Sequence, residues 1–105
     1  MGGTGAERIP LGEALLRRDA VLRAFLDADG RLLAIPAKHS KRLVVLDHLA
    51  QLFEPGERYP ETEVNARLRS VHEDVAALRR YLVEEGFLDR EAGMYWRIGG
   101  TVDGV

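Results

Sequence analysis

Residues 60–98 read PETEVNARLRSVHEDVAALRRYLVEEGFLDREAGMYWRI, and this stretch decides the fold. Pro60 suits the first position of a helix, where its missing N–H would have no partner. Ser70-Val71-His72-Glu73 fits a capping box that opens a second helix. Gly86 can adopt the left-handed conformation that ends this helix. The stretch therefore begins with two helices joined by a very short turn.

Two strands follow the second helix. Phe87–Arg90 and Met94–Ile98 predict a hairpin around Glu91-Ala92-Gly93. Because the turn between the helices is so short, the helices must cross sharply instead of lying antiparallel. This order of elements predicts an α+β domain of winged helix-turn-helix type.

Three further segments are predicted before Pro60. Lys41–Phe53 predicts a central helix, because it is apolar around most of its circumference. Leu11–Leu26 predicts an extra N-terminal helical segment, as one broken helix or as two short ones with Asp19 capping the second. Arg31–Ile35 reads as a strand-like piece that Pro36 interrupts, and Arg58-Tyr59 as a single strand bridge.

Length and composition indicate one domain. The 105 residues are 46% hydrophobic and 30% charged, which are globular values. We expect a flexible leader at residues 1–10, the domain at 11–100 and a loose tail at 101–105. The chain lacks cysteine, which excludes disulfides and thiolate metal sites. No signal-peptide pattern or membrane-length apolar run is present, so a cytoplasmic protein without membrane contact is predicted.

Basic residues are the candidates for contacts to a DNA backbone, although a net charge of −2 argues against tight phosphate binding. The candidate DNA-binding residues are Lys38, Lys41, Arg42, Arg79, Arg80, Arg90 and Arg97. For Arg79, Arg90 and Arg97, ion pairs with Asp74, Asp89 or Glu91 are the alternative. The cluster from Lys38 to Arg42 lies near a helix N-terminus, where either an anion site or a solvated loop is reasonable.

The outer face of the second helix favours a protein partner over DNA. It is acidic at its start, with Glu73 and Asp74, where a DNA-reading helix usually carries Arg, Asn or Gln. Two alanines in the middle would allow another backbone to approach closely. Trp96 shares a strand face with Met94 and Ile98, so we assign it to the core and leave Tyr95 as the freer ring. The candidate protein-interface residues are Ala76, Ala77, Arg80 and Tyr95.

Enzymatic chemistry is not indicated. No nucleophile motif, phosphate-binding glycine loop or paired carboxylate signature is present. His39, His48 and His72 lack metal-ligand spacing, and structural roles are expected for them. We therefore predict no catalytic activity, no cofactor and no metal.

The chain from Phe25 to Arg97 resembles a family of uncharacterised bacterial domains that occur alone or fused to helix-turn-helix regulators. The resemblance is carried by Ile35-Pro36-Ala37-Lys38, Phe53-Glu54-Pro55-Gly56, Glu63-Val64-Asn65, Leu78-Arg79-Arg80-Tyr81-Leu82-Val83 and Tyr95-Trp96-Arg97. Pro60 departs from the capping threonine that the resemblance leads us to expect. The resemblance implies association with a regulator and brings no catalytic or ligand residues.

Three hypotheses follow. The first is a non-enzymatic domain of transcriptional regulation that binds DNA weakly or as an oligomer. The second is a protein-interaction or dimerisation module that has the same shape and does not bind DNA. The third is a small-ligand sensor with a pocket between the N-terminal and central helices.

Overall fold

The computed structural model describes the backbone of residues 11–101 and the side chains of residues 16–101. The helices are α1 (Leu11–Phe25), α2 (His39–Ala50), α3 (Glu61–Arg69) and α4 (Val75–Glu84). The strands are β1 (Arg58–Pro60), β2 (Leu88–Glu91) and β3 (Met94–Arg97). The predicted α+β class is confirmed, while the leader predicted at residues 1–10 lies outside the described residues. Among the described helices, none is long and apolar enough to cross a membrane.

The N-terminal segment is one continuous helix, so Asp19 does not cap a second one. The turn after α1 forms on the Asp27 carboxylate, which accepts hydrogen bonds from the N–H groups of Asp29 (2.8 Å) and Arg31 (2.9 Å). The strand predicted at Arg31–Ile35 is wrong, because only one antiparallel bridge forms there. The Leu32 N–H instead donates to the carbonyl of Val71, 2.9 Å away in the α3–α4 turn.

The sheet has the order β1-β3-β2, with both pairs antiparallel. The predicted hairpin is confirmed, and its turn is the two residues Ala92 (φ 54°) and Gly93 (φ 81°). Positive φ at both positions is the turn geometry that matches the twist of paired strands. Pro60 is the N-cap of α3 and the last residue of β1, because its extended backbone (ψ 156°) still pairs with Met94. The helix predicted to begin at Pro60 therefore begins one residue later, at Glu61.

Helix α2 lies at the centre of the core, as predicted. Val45, Leu46 and Leu49 are fully buried, and Phe53 continues the same surface after the helix ends. Most of the other core side chains come from α3, α4 and the sheet, and they include Val64, Leu68, Leu78, Leu82, Leu88 and Tyr95. Burying these side chains is the main stabilising contribution to the fold.

Two half-buried polar residues, Asp47 on α2 and its C-cap Gln51, anchor the segment that follows β3. The Thr101 N–H and hydroxyl donate to the two oxygens of the Asp47 carboxylate, at 2.6 and 2.9 Å. The Gln51 amide donates to the Thr101 carbonyl at 2.7 Å. Thr101, the first residue of the predicted tail, is therefore held by hydrogen bonds to Asp47 and Gln51. Residues 102–105 lie outside the described part.

Candidate functional site

Helix α4 begins later than the capping box predicts. Asp74 is its N-cap, and the Asp74 carboxylate accepts a hydrogen bond from the Ala77 N–H at 3.2 Å. The Ser70 hydroxyl donates instead to the carbonyl of Arg67 at 2.7 Å. The prediction that Ser70 caps this helix is wrong, because Ser70 is the C-cap of α3. One of the two acids at the start of α4 is thus occupied in capping.

A shallow depression of about 350 Å³ lies between the outer face of α4 and strand β2. Three of the predicted DNA-binding residues line it: Arg79, Arg80 and Arg90. Gly86 (φ 82°) follows the helix, as predicted, and the chain then enters β2 beside α4. This reversal brings Arg90 next to two arginines that lie on the helix.

Neighbours from α3 and β3 hold two of these arginines. Arg79 Nη1 donates to Asn65 Oδ1, and Arg79 Nε lies 3.8 Å from the Glu61 carboxylate. The Tyr95 hydroxyl donates to the same carboxylate at 2.9 Å. A hydrogen bond with Tyr95 raises the pKa of the Arg90 guanidinium further above its ordinary value, so this group stays charged. These partners differ from the acids of the predicted ion pairs, which were Asp74, Asp89 and Glu91.

Tyr81 lies between two guanidinium groups. The Cζ of Arg42 is 4.6 Å from the centroid of the tyrosine ring, and the Cζ of Arg80 is 5.1 Å from it. Both distances suit cation–π attraction. The ring therefore joins the start of α2 to the depression beside α4. We name the surface formed by Arg42, Arg79, Arg80 and Arg90 the arginine face.

Two glutamates pair with members of the arginine face, and a third pairs with His39 at the start of α2. Glu61 contacts Arg79, and the Glu85 carboxylate lies 3.1 Å from His39 Nε2. The Glu84 carboxylate is 3.8 Å from Arg80 Nε, and both side chains are more than half exposed. Exposed pairs of this kind contribute little to stability. The Arg80 guanidinium can therefore exchange this partner for an external anion.

The fold divides the basic cluster at the start of α2. Arg42 Nη1 donates to the carbonyls of Pro36 (3.2 Å) and Ala37 (3.0 Å), so this side chain is fixed in place. Lys38 is exposed at the N-cap, and its carbonyl accepts the Arg42 N–H. Lys41 is exposed too, but it lines a groove between α1 and α2. Lys38 is thus connected to Arg42, a member of the arginine face, through a backbone hydrogen bond. Lys41 belongs to the surface of the groove between α1 and α2.

Arg97 lies away from the arginine face and donates its hydrogen bonds to backbone carbonyls. Its Nη1 donates to the carbonyl of Phe53 at 3.1 Å and its Nε to the carbonyl of Gly99 at 2.9 Å. Its Nη2 donates to the carbonyl of Thr101. The guanidinium therefore connects β3 to the loop after α2 and to the segment after the sheet.

The faces of β3 are opposite to those predicted. Tyr95 is 1% exposed and belongs to the core, whereas Trp96 is half-buried. The Trp96 ring is covered by the Arg58 guanidinium, whose Cζ lies 4.2 Å from the ring centroid. The assignment of Trp96 to the core and of Tyr95 to the surface is wrong, because the helices cover the Tyr95 side of the sheet. Tyr95 is consequently not accessible as a protein-interface residue.

The two alanines of α4 differ in exposure. Ala76 is exposed and lines the depression, whereas Ala77 is half-buried next to the Asp74 cap. Both alanines were predicted to be exposed to a protein partner, and only Ala76 is exposed.

The model of one family, described as an uncharacterized protein conserved in bacteria (DUF2087), matches residues 31–97. The chain belongs to this family. A search of curated proteins and a search of solved structures found no match.

The DUF2087 match covers α2, both later helices and the whole sheet. It includes all four members of the arginine face as well as Tyr81. Helix α1 lies before the matched residues, so the groove between α1 and α2 is only partly within the family region. The resemblance stated from the sequence is confirmed at the level of the family.

The three histidines lie in separate places. His39 faces Glu85, and His72 Nδ1 accepts the N–H of Asp74 at 3.0 Å. Burial lowers the pKa of His48, and the nearby Arg18 charge lowers it further, while Asp47 acts in the opposite direction. Within the described residues, no group of three His, Asp or Glu side chains could hold a metal ion.

Sequence reasoning missed Tyr81 as a member of the site and did not connect Asn65 with Arg79. Tyr81 adjoins Arg80 in sequence, and this Arg-Tyr pair is the signal that could have drawn attention to it. Asn65 lies within the stretch that resembles the family, but its contact with Arg79 spans two helices. No local pattern predicts such a contact.

Proposed function

We propose that this domain is a non-enzymatic module of bacterial transcriptional regulation that binds the phosphate backbone of DNA, either weakly or as an oligomer. The observation that carries the proposal is the convergence of Arg79, Arg80 and Arg90 in one depression. Guanidinium groups form charge-assisted hydrogen bonds with phosphate oxygens. A phosphate could contact more than one of these arginines at once.

The order of elements supports a winged-helix arrangement. Helix α2, strand β1, helices α3 and α4 and the β2–β3 hairpin follow one another in the order of that fold. In this proposal α4 corresponds to the recognition helix and the hairpin to the wing. The arginine face lies where these two elements adjoin.

The outer face of α4 favours contact with the backbone over reading of bases. Ala76, Arg80 and Glu84 are exposed at successive turns of this face. The first turn offers no Arg, Asn or Gln that could bond to a base edge. Phosphate contacts position a protein on DNA without selecting a sequence. The proposed binding is therefore electrostatic and tolerant of sequence.

Fluorescence anisotropy with labelled duplex DNA tests the proposal. Binding that releases counterions should weaken steeply between about 50 and about 200 mM salt. Duplexes of different sequence and equal length should bind with similar affinity. A flat anisotropy signal at micromolar protein and low salt would contradict the proposal.

A second candidate function is a protein-interaction or dimerisation module. It is favoured by Ala76 and Val83, which give the depression a partly apolar wall. Light scattering should then show a dimer at high protein concentration, and Ala76→Glu should dissociate it because a charge enters the contact. A monomer at all concentrations would count against this candidate.

A further inference from the structure

A groove of about 560 Å³ lies between α1 and α2. Val21 and Phe25 from α1 and Val44 from α2 form its apolar part, and each of these side chains is only half-buried. Ala20 and Ala24 leave the groove open because their side chains are small. The volume lies in the range of small-molecule sites, which is about 300 to 1,000 Å³.

The groove and the arginine face lie on opposite sides of α2. Ser40, Lys41 and Val44 face the groove. On the other side, His39 contacts the C-cap of α4, Glu85, and Arg42 contacts Tyr81 on α4. Positions that differ by roughly half a helical turn point in opposite directions. The groove is therefore separate from the surface proposed to bind DNA.

Positive charge surrounds this apolar groove. Arg17, Arg18 and Lys41 line it, and within residues 16–101, whose side chains the structure describes, no aspartate or glutamate does. The Arg18 guanidinium lies 3.3 Å from the Asp47 carboxylate, so its charge is partly balanced. Lys41 is exposed at the edge of the groove. The charge of Lys41 thus favours a ligand that has an anionic end and an apolar body.

The start of α2 adds hydrogen-bond donors at the same edge. Among the described residues, no side chain caps this twelve-residue helix at Lys38, and its first turn contains no acid. The first N–H groups of a helix attract anions through their partial positive charge. Ser40 and Lys41 belong to this first turn and also line the groove.

We propose that the groove binds one free straight-chain carboxylate of medium length. The carboxylate lies at Lys41 and the first turn of α2, and the alkyl chain lies against Val21, Phe25 and Val44. Exclusion of water from the alkyl chain supplies most of the affinity, and the cations fix its direction. This site does not depend on whether the arginine face binds DNA.

Isothermal titration of the full chain with octanoate and decanoate tests the site. Each buried methylene should tighten binding about fourfold, so decanoate should bind roughly fifteen times more tightly than octanoate. Decyltrimethylammonium has a similar alkyl chain with the opposite charge and should not bind. Equal affinity for the cation and the carboxylate, or no saturable heat with decanoate, would overturn the proposal.

Two variants locate the site. Ala24→Trp fills the groove and should abolish decanoate binding, and Lys41→Gln should weaken it while the fold is unchanged. Arg23→Gln is the matched control, because Arg23 is exposed on α1 outside the groove. The proposal is wrong if Lys41→Gln and Arg23→Gln bind decanoate equally well.

A second copy of the chain is the competing occupant of the groove. Sedimentation of the wild-type protein with and without decanoate separates the two cases. A monomer in both conditions, with saturable binding, agrees with the carboxylate site. A dimer that Ala24→Trp dissociates and decanoate does not affect would overturn it.

Discussion

At the scale of single residues, several arginines donate hydrogen bonds to backbone carbonyls or pack on aromatic rings. Arg42 and Arg97 each donate to two or more carbonyls. Arg67 Nη1 donates to the carbonyl of Leu52 at 2.6 Å, and its guanidinium covers the Tyr59 ring. The guanidinium suits this use because it presents several donors in a fixed plane. Tertiary contacts, and not the number of basic residues, therefore determine which cations can reach a ligand.

His48 predicts a pH dependence of stability. Because its pKa in the folded protein is lower than the ordinary value of 6.5, the unfolded chain takes up the proton first as pH falls. The free energy of unfolding should therefore decrease as pH falls below 6.5 toward the folded-state pKa. His48→Gln should lose less stability than wild type between about pH 7.5 and about pH 5.5 in urea unfolding. An identical decrease in both proteins would show that His48 is not responsible.

The positions of Tyr95 and Trp96 show what strand alternation can and cannot establish. Alternation correctly places these two neighbours on opposite faces of β3. It does not establish which face the helices cover. Arg58 lies directly opposite Trp96 on β1 and covers the indole ring from the outer side. That pairing is long-range, so the sequence pattern alone could not assign the faces.

At the scale of elements, the start of α4 gives a test by paired substitutions. Asp74→Ala removes the N-cap acceptor and should cost about 1 kcal/mol of unfolding free energy. Ser70→Ala is the control, because the Ser70 hydroxyl donates to a carbonyl in an exposed turn. Its cost should be smaller, measured by urea unfolding. A larger loss for Ser70→Ala would indicate that the capping box forms after all.

Gly99 gives a second test, at the crossing of two chain segments. A Cβ at this position would lie 2.5 Å from the carbonyl oxygen of Gly86, which is a backbone atom. The segment after β3 and the end of α4 would have to separate. Gly99→Ala should therefore destabilise the protein by about 1 to 3 kcal/mol in urea unfolding. Unchanged stability would mean that these segments are not in close contact.

The sequence predicted the elements better than their ends. Gly86 and Gly93 mark the end of α4 and the hairpin turn correctly, because each adopts a positive φ that glycine tolerates best. The predicted turn is one residue too long, since Glu91 is the last residue of β2. The start of α4 was misplaced because Ser70 and Asp74 are both good capping residues. The choice between them depends on where α3 ends. That end is fixed by packing of Leu68 in the core.

At the scale of the whole molecule, both candidate surfaces form from distant parts of the chain. The arginine face combines α2, α4 and β2, and the groove combines α1 with α2. The sequence identified every arginine of the face and a candidate pocket between two helices. It could not identify which cations converge, because Arg42 and Arg80 are connected only through Tyr81.

The salt dependence of DNA binding by the Arg80→Gln/Arg90→Gln double variant tests the central claim most directly. Each lost phosphate contact should reduce the slope of log K against log salt by about 1, so the double variant should lose about 2. Arg23→Gln, which removes a charge from the exposed side of α1, should keep the wild-type slope. Equal slopes for wild type, the double variant and Arg23→Gln would contradict the claim that the arginine face binds the DNA backbone.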